Sequence, residues 1–138
     1  MSPEELEQIA EEERERQAGF KHKVHVCVAA GCQSCQSDSV KSALEQELSK
    51  RDIPGGCQVK GVGCMGLCAE GPLVSTNRNV LYQKVGAQDS SAILDSLEGD
   101  PVANLVCPTD VPFFQSQKKI VLENSGNIDP ERIEDYIA

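Results

Sequence analysis

The stretch Lys23-Val-His-Val-Cys-Val-Ala-Ala-Gly-Cys32 decides the fold. Its first half alternates and is β-branched, so Lys23–Val28 reads as a strand. That strand runs directly into a loop of small residues bounded by Cys27 and Cys32. Downstream, Val40, Ala43, Leu44 and Leu48 recur at helical spacing and predict an amphipathic helix over Asp38–Lys50. Ser37 or Asp38 stands where an N-cap belongs, and Lys50 with Arg51 suits the negative end of the helix dipole. Pro54-Gly55-Gly56 stops the helix. Gln58–Val62 is then a second strand, which delivers Cys64 much as the first delivers Cys27.

Beyond it, Leu73–Thr76 and Val80–Val85 flank the turn Asn77-Arg78-Asn79, a hairpin signature. Asp89 is placed to cap a short helix with Ile93, Leu94 and Leu97 inward and Gly99 at its end. The order is β-α-β-β-β-α. A βαβ opening requires a parallel pair, and a hairpin an antiparallel one. The expected fold is therefore α/β: a four-stranded mixed sheet flanked by two helices, in a thioredoxin-like arrangement. Both cysteine clusters then fall at the same end of the sheet.

Those clusters are Cys27-x4-Cys32 and Cys64-Met-Gly-Leu-Cys68, spaced C-x4-C and C-x3-C. Four thiolates on two fixed loops are what a binuclear iron–sulfur cluster requires, with two sulfides bridging the irons and two cysteines on each. Cys27, Cys32, Cys64 and Cys68 are thus the candidate metal and cofactor ligands of a [2Fe-2S] centre. Ala29, Ala30, Gly31, Gly63 and Gly66 keep side chains off such a centre. They also leave backbone N–H groups free to bond its sulfurs and moderate its potential.

Other readings compete for the same residues. With Cys35 the run becomes C-x4-C-x2-C, followed after residues 36–63 by Cys64, which approaches the plant-type ferredoxin spacing. Only one short strand precedes Cys27, however, and Cys68 would be left without a role. Cys32-Gln-Ser-Cys35 is also a C-x-x-C between a strand and a helix, the pattern of a thiol–disulfide oxidoreductase. Pro72, just before a strand, stands where such folds favour a cis-proline. A structural zinc site is the third alternative, although zinc knuckles favour two-residue spacing in both halves. His22 and His25 read as ordinary strand histidines, and Cys57 and Cys107 as small apolar or exposed thiols. Gly61-x-Gly63 is no nucleotide fingerprint, because no G-x-G-x-x-G leads a strand into a helix.

The chain has 138 residues, enough for one core of ordinary size, with 22 acidic against 13 basic residues and net charge −9. That balance argues against a nucleic-acid partner. No run of apolar residues is long enough to span a membrane. Seven cysteines behind an acidic Met-Ser-Pro-Glu-Glu start point to a reducing, cytoplasmic setting. Residues 1–19 form an acidic helical arm whose thin apolar stripe, Leu6, Ile9 and Ala10, is interrupted by Glu13. Residues 20–99 are the sheet domain. Residues 100–138 begin as a proline-rich linker, with a strand expected over Lys118–Leu122 and a helix capped by Asp129 with Pro130 at its first position. Ile133, Tyr136 and Ile137 would form that helix's apolar face, and a helix starting so late reads as the opening of a longer polypeptide.

Cys27-x4-Cys32 together with Cys64-Met-Gly-Leu-Cys68-Ala-Glu-Gly-Pro-Leu-Val resembles the thioredoxin-like [2Fe-2S] ferredoxin domain. That domain starts the NADH-binding diaphorase subunits of bidirectional NAD-reducing hydrogenases, and is similar to the 24-kDa-type subunit of NADH dehydrogenase. Pro112-Phe-Phe-Gln-Ser-Gln-Lys-Lys-Ile-Val-Leu and Gly126-Asn-Ile-Asp-Pro-Glu-Arg-Ile-Glu-Asp-Tyr-Ile resemble the start of the FMN/NADH-binding domain. The resemblance implies one-electron transfer, with Cys27, Cys32, Cys64 and Cys68 as ligands. It places FMN, NAD and [4Fe-4S] sites in a portion beyond Ala138. It implies as partners that FMN/NADH-binding domain and the other iron–sulfur subunits of a hydrogenase or dehydrogenase.

Overall fold

The computed structural model describes residues 1–138. Its elements are α1 (Pro3–Ala18), β1 (His22–Cys27), α2 (Ala30–Gln33), α3 (Ser37–Ser49), β2 (Cys57–Val62), β3 (Val74–Thr76), β4 (Leu81–Tyr82), α4 (Ser90–Asp95), α5 (Pro112–Gln115) and α6 (Ile133–Ile137). Single 3-10 turns cover Cys68–Glu70 and Ala87–Asp89. The sheet order is β2-β1-β3-β4, parallel between β1 and β2 and antiparallel elsewhere. This is the mixed thioredoxin-like sheet expected from the order of the elements. No helix is long and apolar enough to cross a membrane.

The core lies between one face of the sheet and helices α3 and α4. Val24 and Val26 of β1 meet Val40 and Leu44 of α3 and Ile93 and Leu94 of α4 there. Leu44, Tyr82 and Ile93 are sealed from water, and each such side chain contributes about 1.5–3 kcal/mol. The Tyr82 hydroxyl sits 2.9 Å from Ser96 Oγ and accepts the Val102 N–H at 3.3 Å, so its polar end is satisfied inside the core.

Strand alternation turns His25 and its register partner Lys60 to the opposite face. The C-terminal stretch covers that face: Asp135 of α6 holds Lys60 Nζ at 2.5 Å. In turn α6 packs on α1. Arg132 Nη2 reaches Glu13 Oε2 at 3.0 Å, and Arg14 Nε donates to the Ala138 carbonyl at 2.9 Å. Ser2 closes a capping box with Glu5 at the start of α1.

Several local readings differ from the structure. Glu13, read as breaking the stripe of α1, is itself buried, and Leu6 is exposed. Lys118–Leu122 forms no strand; Ile120, Val121 and Leu122 stand in solvent on a turn. Helix α6 begins at Ile133 rather than after Asp129, because the Asp129 carboxylate is occupied with the Glu131 N–H in a local turn. Its buried residue is Asp135, while Ile133 and Tyr136 face outward. Helix α3 has no side-chain cap; Gln36 precedes it at φ 68°. Asp89 does stand at the N-cap of α4, but its carboxylate accepts the Gly86 N–H at 2.8 Å instead of bonding that helix.

Candidate metal centre

The parallel register carries Cys27 to the level of Val62, so the loop holding Cys64 starts beside the loop holding Cys32. The Cys27 N–H donates to the Leu73 carbonyl at 3.0 Å, which ties the first loop to the start of β3. The helical turn of α2 then presents Cys32 inward. Cys27, Cys32 and Leu73 form a small buried cluster of their own, separate from the main core.

On the other side, Cys64 is half-buried and Cys68 exposed. Their sulfurs lie 3.9 Å apart, and the Gly66 N–H, at φ 88°, donates to Cys64 Sγ at 3.3 Å. That is a backbone hydrogen bond to a thiol of the kind that steadies a thiolate. The Cys32 thiol is pushed up to about 12, first by burial and then by its contact with the Cys27 thiol, with the charges of Cys27 and Cys68 adding to it. Cys68 is pushed up by its contact with Cys64, with Cys27 again contributing. Each thiolate would thus disfavour the next where these thiols gather, a repulsion that a bound cation relieves.

Two glycines set the spacing of this group. A Cβ on Gly31 would stand 3.1 Å from both Cys68 Cβ and Cys68 Sγ. On Gly71, the residue before the cis peptide to Pro72, it would stand 3.0 Å from Cys32 Sγ. A soft, all-thiol donor set with room kept clear around it fits an iron–sulfur centre. Cys32 contacts Cys27, and Cys64 lies beside Cys68, so the sulfurs form two pairs, as the two irons of a binuclear centre require.

Cys35 is exposed on the turn that follows α2, while Cys57 and Cys107 are buried elsewhere. Burial pushes Cys57 up to about 11, so it is an inert apolar thiol. Burial and the charges of Lys60 and Lys23 hold His25 below its ordinary value, against the pull of the Gly126 backbone. Gly71 stands in the motif that carries the resemblance, although the sequence does not show its closeness to Cys32. One neighbour escaped sequence reasoning: Ser125, whose hydroxyl donates to the Cys64 carbonyl at 2.6 Å, lies 61 positions further on.

A family model of the thioredoxin-like [2Fe-2S] ferredoxins matches residues 13–98. A 2Fe-2S ferredoxin of Clostridium pasteurianum is 31% identical over 85 residues, which is 55% of this chain and 83% of that protein. The crystal structure of the wild-type thioredoxin-like [2Fe-2S] ferredoxin from Aquifex aeolicus is similar at a TM-score of 0.58 and 26% identity, covering 66% of this chain and 99% of that one. A second structure of a thioredoxin-like [2Fe-2S] ferredoxin from the same organism gives 0.57 at 26% identity, over 68% and 99% of the two chains. The fold, the clustered thiols and the span of the family match lead to one conclusion: the chain belongs to the thioredoxin-like [2Fe-2S] ferredoxins, and a [2Fe-2S] cluster is its cofactor.

Proposed function

We propose that the chain transfers single electrons through one [2Fe-2S] cluster held by Cys27, Cys32, Cys64 and Cys68. The observation that carries this reading is the meeting of these thiols at one end of the sheet, two buried, one half-buried and one exposed. When bound, the cluster supplies reversible one-electron exchange without bonding a substrate. Cys27 and Cys32, buried beside Leu73, would hold it from within the fold. Cys64 and Cys68, half-buried and exposed, would hold it from the loop that a redox partner can approach. Gly66 N–H bonds Cys64 Sγ and so eases the negative charge there.

The dithiol alternative needs an accessible, acidic N-terminal thiol at Cys32. Cys32 is fully buried and its thiol is pushed up rather than down, which speaks against it.

The finer assignment rests on the resemblance of residues 23–138 to diaphorase subunits. On that reading the chain is the ferredoxin module of an NAD(H)-linked hydrogenase or NADH dehydrogenase in the cytoplasm. Residues 1–19 are its arm, 20–99 the cluster domain and 100–138 the approach to an FMN/NADH-binding domain. Flavin and [4Fe-4S] centres there, and on neighbouring subunits, are its electron partners.

Anaerobic purification followed by iron, acid-labile sulfide and zinc analysis tests the first claim. About two irons and two sulfides per chain are expected. Stoichiometric zinc, or neither metal nor sulfide after reconstitution, would overturn it. For the finer claim, dithionite should reduce the isolated chain, and NADH should do so only after an FMN-bearing diaphorase domain is added. Direct reduction by NADH, or none with that domain present, would count against it.

A further inference from the structure

The family match ends at residue 98, yet part of the chain beyond it returns to the cysteine end of the sheet. Ser125 Oγ donates to the Cys64 carbonyl at 2.6 Å, and the Gly63 N–H donates to the Ile128 carbonyl at 3.4 Å. Between these two bonds Gly126 holds φ 90°, and a Cβ there would stand 3.4 Å from Met65 Cγ. Glycine takes that conformation without steric cost, so the chain can lie flat across the loop. The N–H groups of Asn127 and Ile128 bond back to the Asn124 carbonyl at 3.1 and 3.3 Å, closing the segment on itself.

The segment is also anchored. The Asp129 N–H donates at 2.9 Å to the Asp135 carboxylate, the same group that Lys60 of β2 holds from within the sheet. Gln17 of α1 adds a third donor to that carboxylate at 3.3 Å. One buried carboxylate therefore ties the strand that leads into Cys64 to the segment that lies over Cys64.

We propose that Ser125 is a positioning residue for Cys64, and that residues 124–129 are a strap holding the second cysteine loop in cluster-binding geometry. This rests on the reading of Cys64 as a ligand. The peptide after Cys64 is planar, so a pinned carbonyl also pins the Met65 N–H. A hydroxyl bonded to that carbonyl polarises the same peptide and strengthens its N–H as a donor. Ser125 thereby acts on the cluster without touching it, through both the aim of Cys64 and the local field. In a longer subunit the strap would join the cluster mechanically to whatever follows it.

The full-length chain and its Ser125→Ala and Ser125→Thr variants test this, each loaded with cluster under anaerobic conditions. Iron release to a strong chelator, the midpoint potential, and the alkylation rate of Cys64 in the cluster-free chain are measured, the last mapped by mass spectrometry. Ser125→Ala should release iron about five-fold faster, the change that losing one neutral hydrogen bond brings. It should also have a lower potential and a more reactive Cys64, while Ser125→Thr restores all three. Unchanged iron release and unchanged Cys64 alkylation in Ser125→Ala would overturn the proposal, as would a threonine variant no better than alanine. Failure of the ligand reading is separate and visible, since Cys64→Ala would then keep its iron and sulfide. In that case faster Cys64 alkylation in Ser125→Ala still upholds the strap, and an unchanged rate overturns it.

Discussion

Lys60 Nζ lies 2.5 Å from Asp135 Oδ2, and both side chains are withdrawn from water. A pair of this kind is costly to break from one side, because the surviving charge stays buried without a partner. Asp135→Asn should therefore destabilise the fold by about 3–5 kcal/mol in denaturant unfolding, whereas joint replacement by Lys60→Met and Asp135→Leu should recover only part of that loss, because the Asp129 N–H and Gln17 still lose their acceptor. A neutral Asp135→Asn would show that water reaches Lys60.

Glu13 makes the fold sensitive to acid. Hydrogen bonds from Arg16 and Gln17 hold its carboxyl well below the usual carboxylate range, and Arg132 adds a second guanidinium. A depressed native value means that the contribution is fully present above the ordinary value of about 4.5 and is lost as the pH falls below it. Glu13→Gln should cost about 1–3 kcal/mol at neutral pH, and the gap to wild type should narrow as the pH is lowered toward 3. Urea titrations at several pH values would show it; a constant gap would contradict the pairing.

Each of Cys27→Ala, Cys32→Ala, Cys64→Ala and Cys68→Ala should drop iron from about two per chain to near none. Cys35→Ala should keep the full complement. Loss of the cluster in Cys35→Ala with retention in Cys68→Ala would exchange their roles.

Two glycine substitutions separate crowding from backbone strain. Gly31→Ala places a methyl carbon 3.1 Å from Cys68 Sγ and should cut cluster loading sharply, with little effect on the apo fold. Gly66→Ala meets nothing within 4 Å but sits at φ 88°, so it should cost about 1 kcal/mol and leave loading largely intact. Visible absorption per chain, beside the apo melting temperature, distinguishes the two. Equal loading in both variants would mean that Cys68 moves freely.

The central sheet was legible because its signals are local. Alternation at Val24 and Val26, helical spacing at Val40 and Leu44, and the stop at Pro54-Gly55-Gly56 each declare an element within a few residues. Cysteine spacing likewise announced the site's chemistry. What escaped were features made by distant partners. Glu13 and Asp135 looked like solvated charges on helices, and nothing near them in the chain reveals that Arg132 and Lys60 meet them from 119 and 75 positions away. Lys118–Leu122 shows the opposite failure: a β-branched, apolar run has strand character, but no neighbouring strand offers it hydrogen bonds.

The bond from Arg14 to the Ala138 carbonyl makes the first and last helices neighbours in space. A glycine-rich splice long enough to run back along α1 from Ala138 to Met1, with the backbone reopened near the exposed Gln117, would give a circular permutant with every sheet connection intact. In that rearranged order the strap would be synthesised before the strand it lies against. The metal centre would then be assembled against a segment already made, whereas in the natural order that segment follows the strands and both cysteine loops.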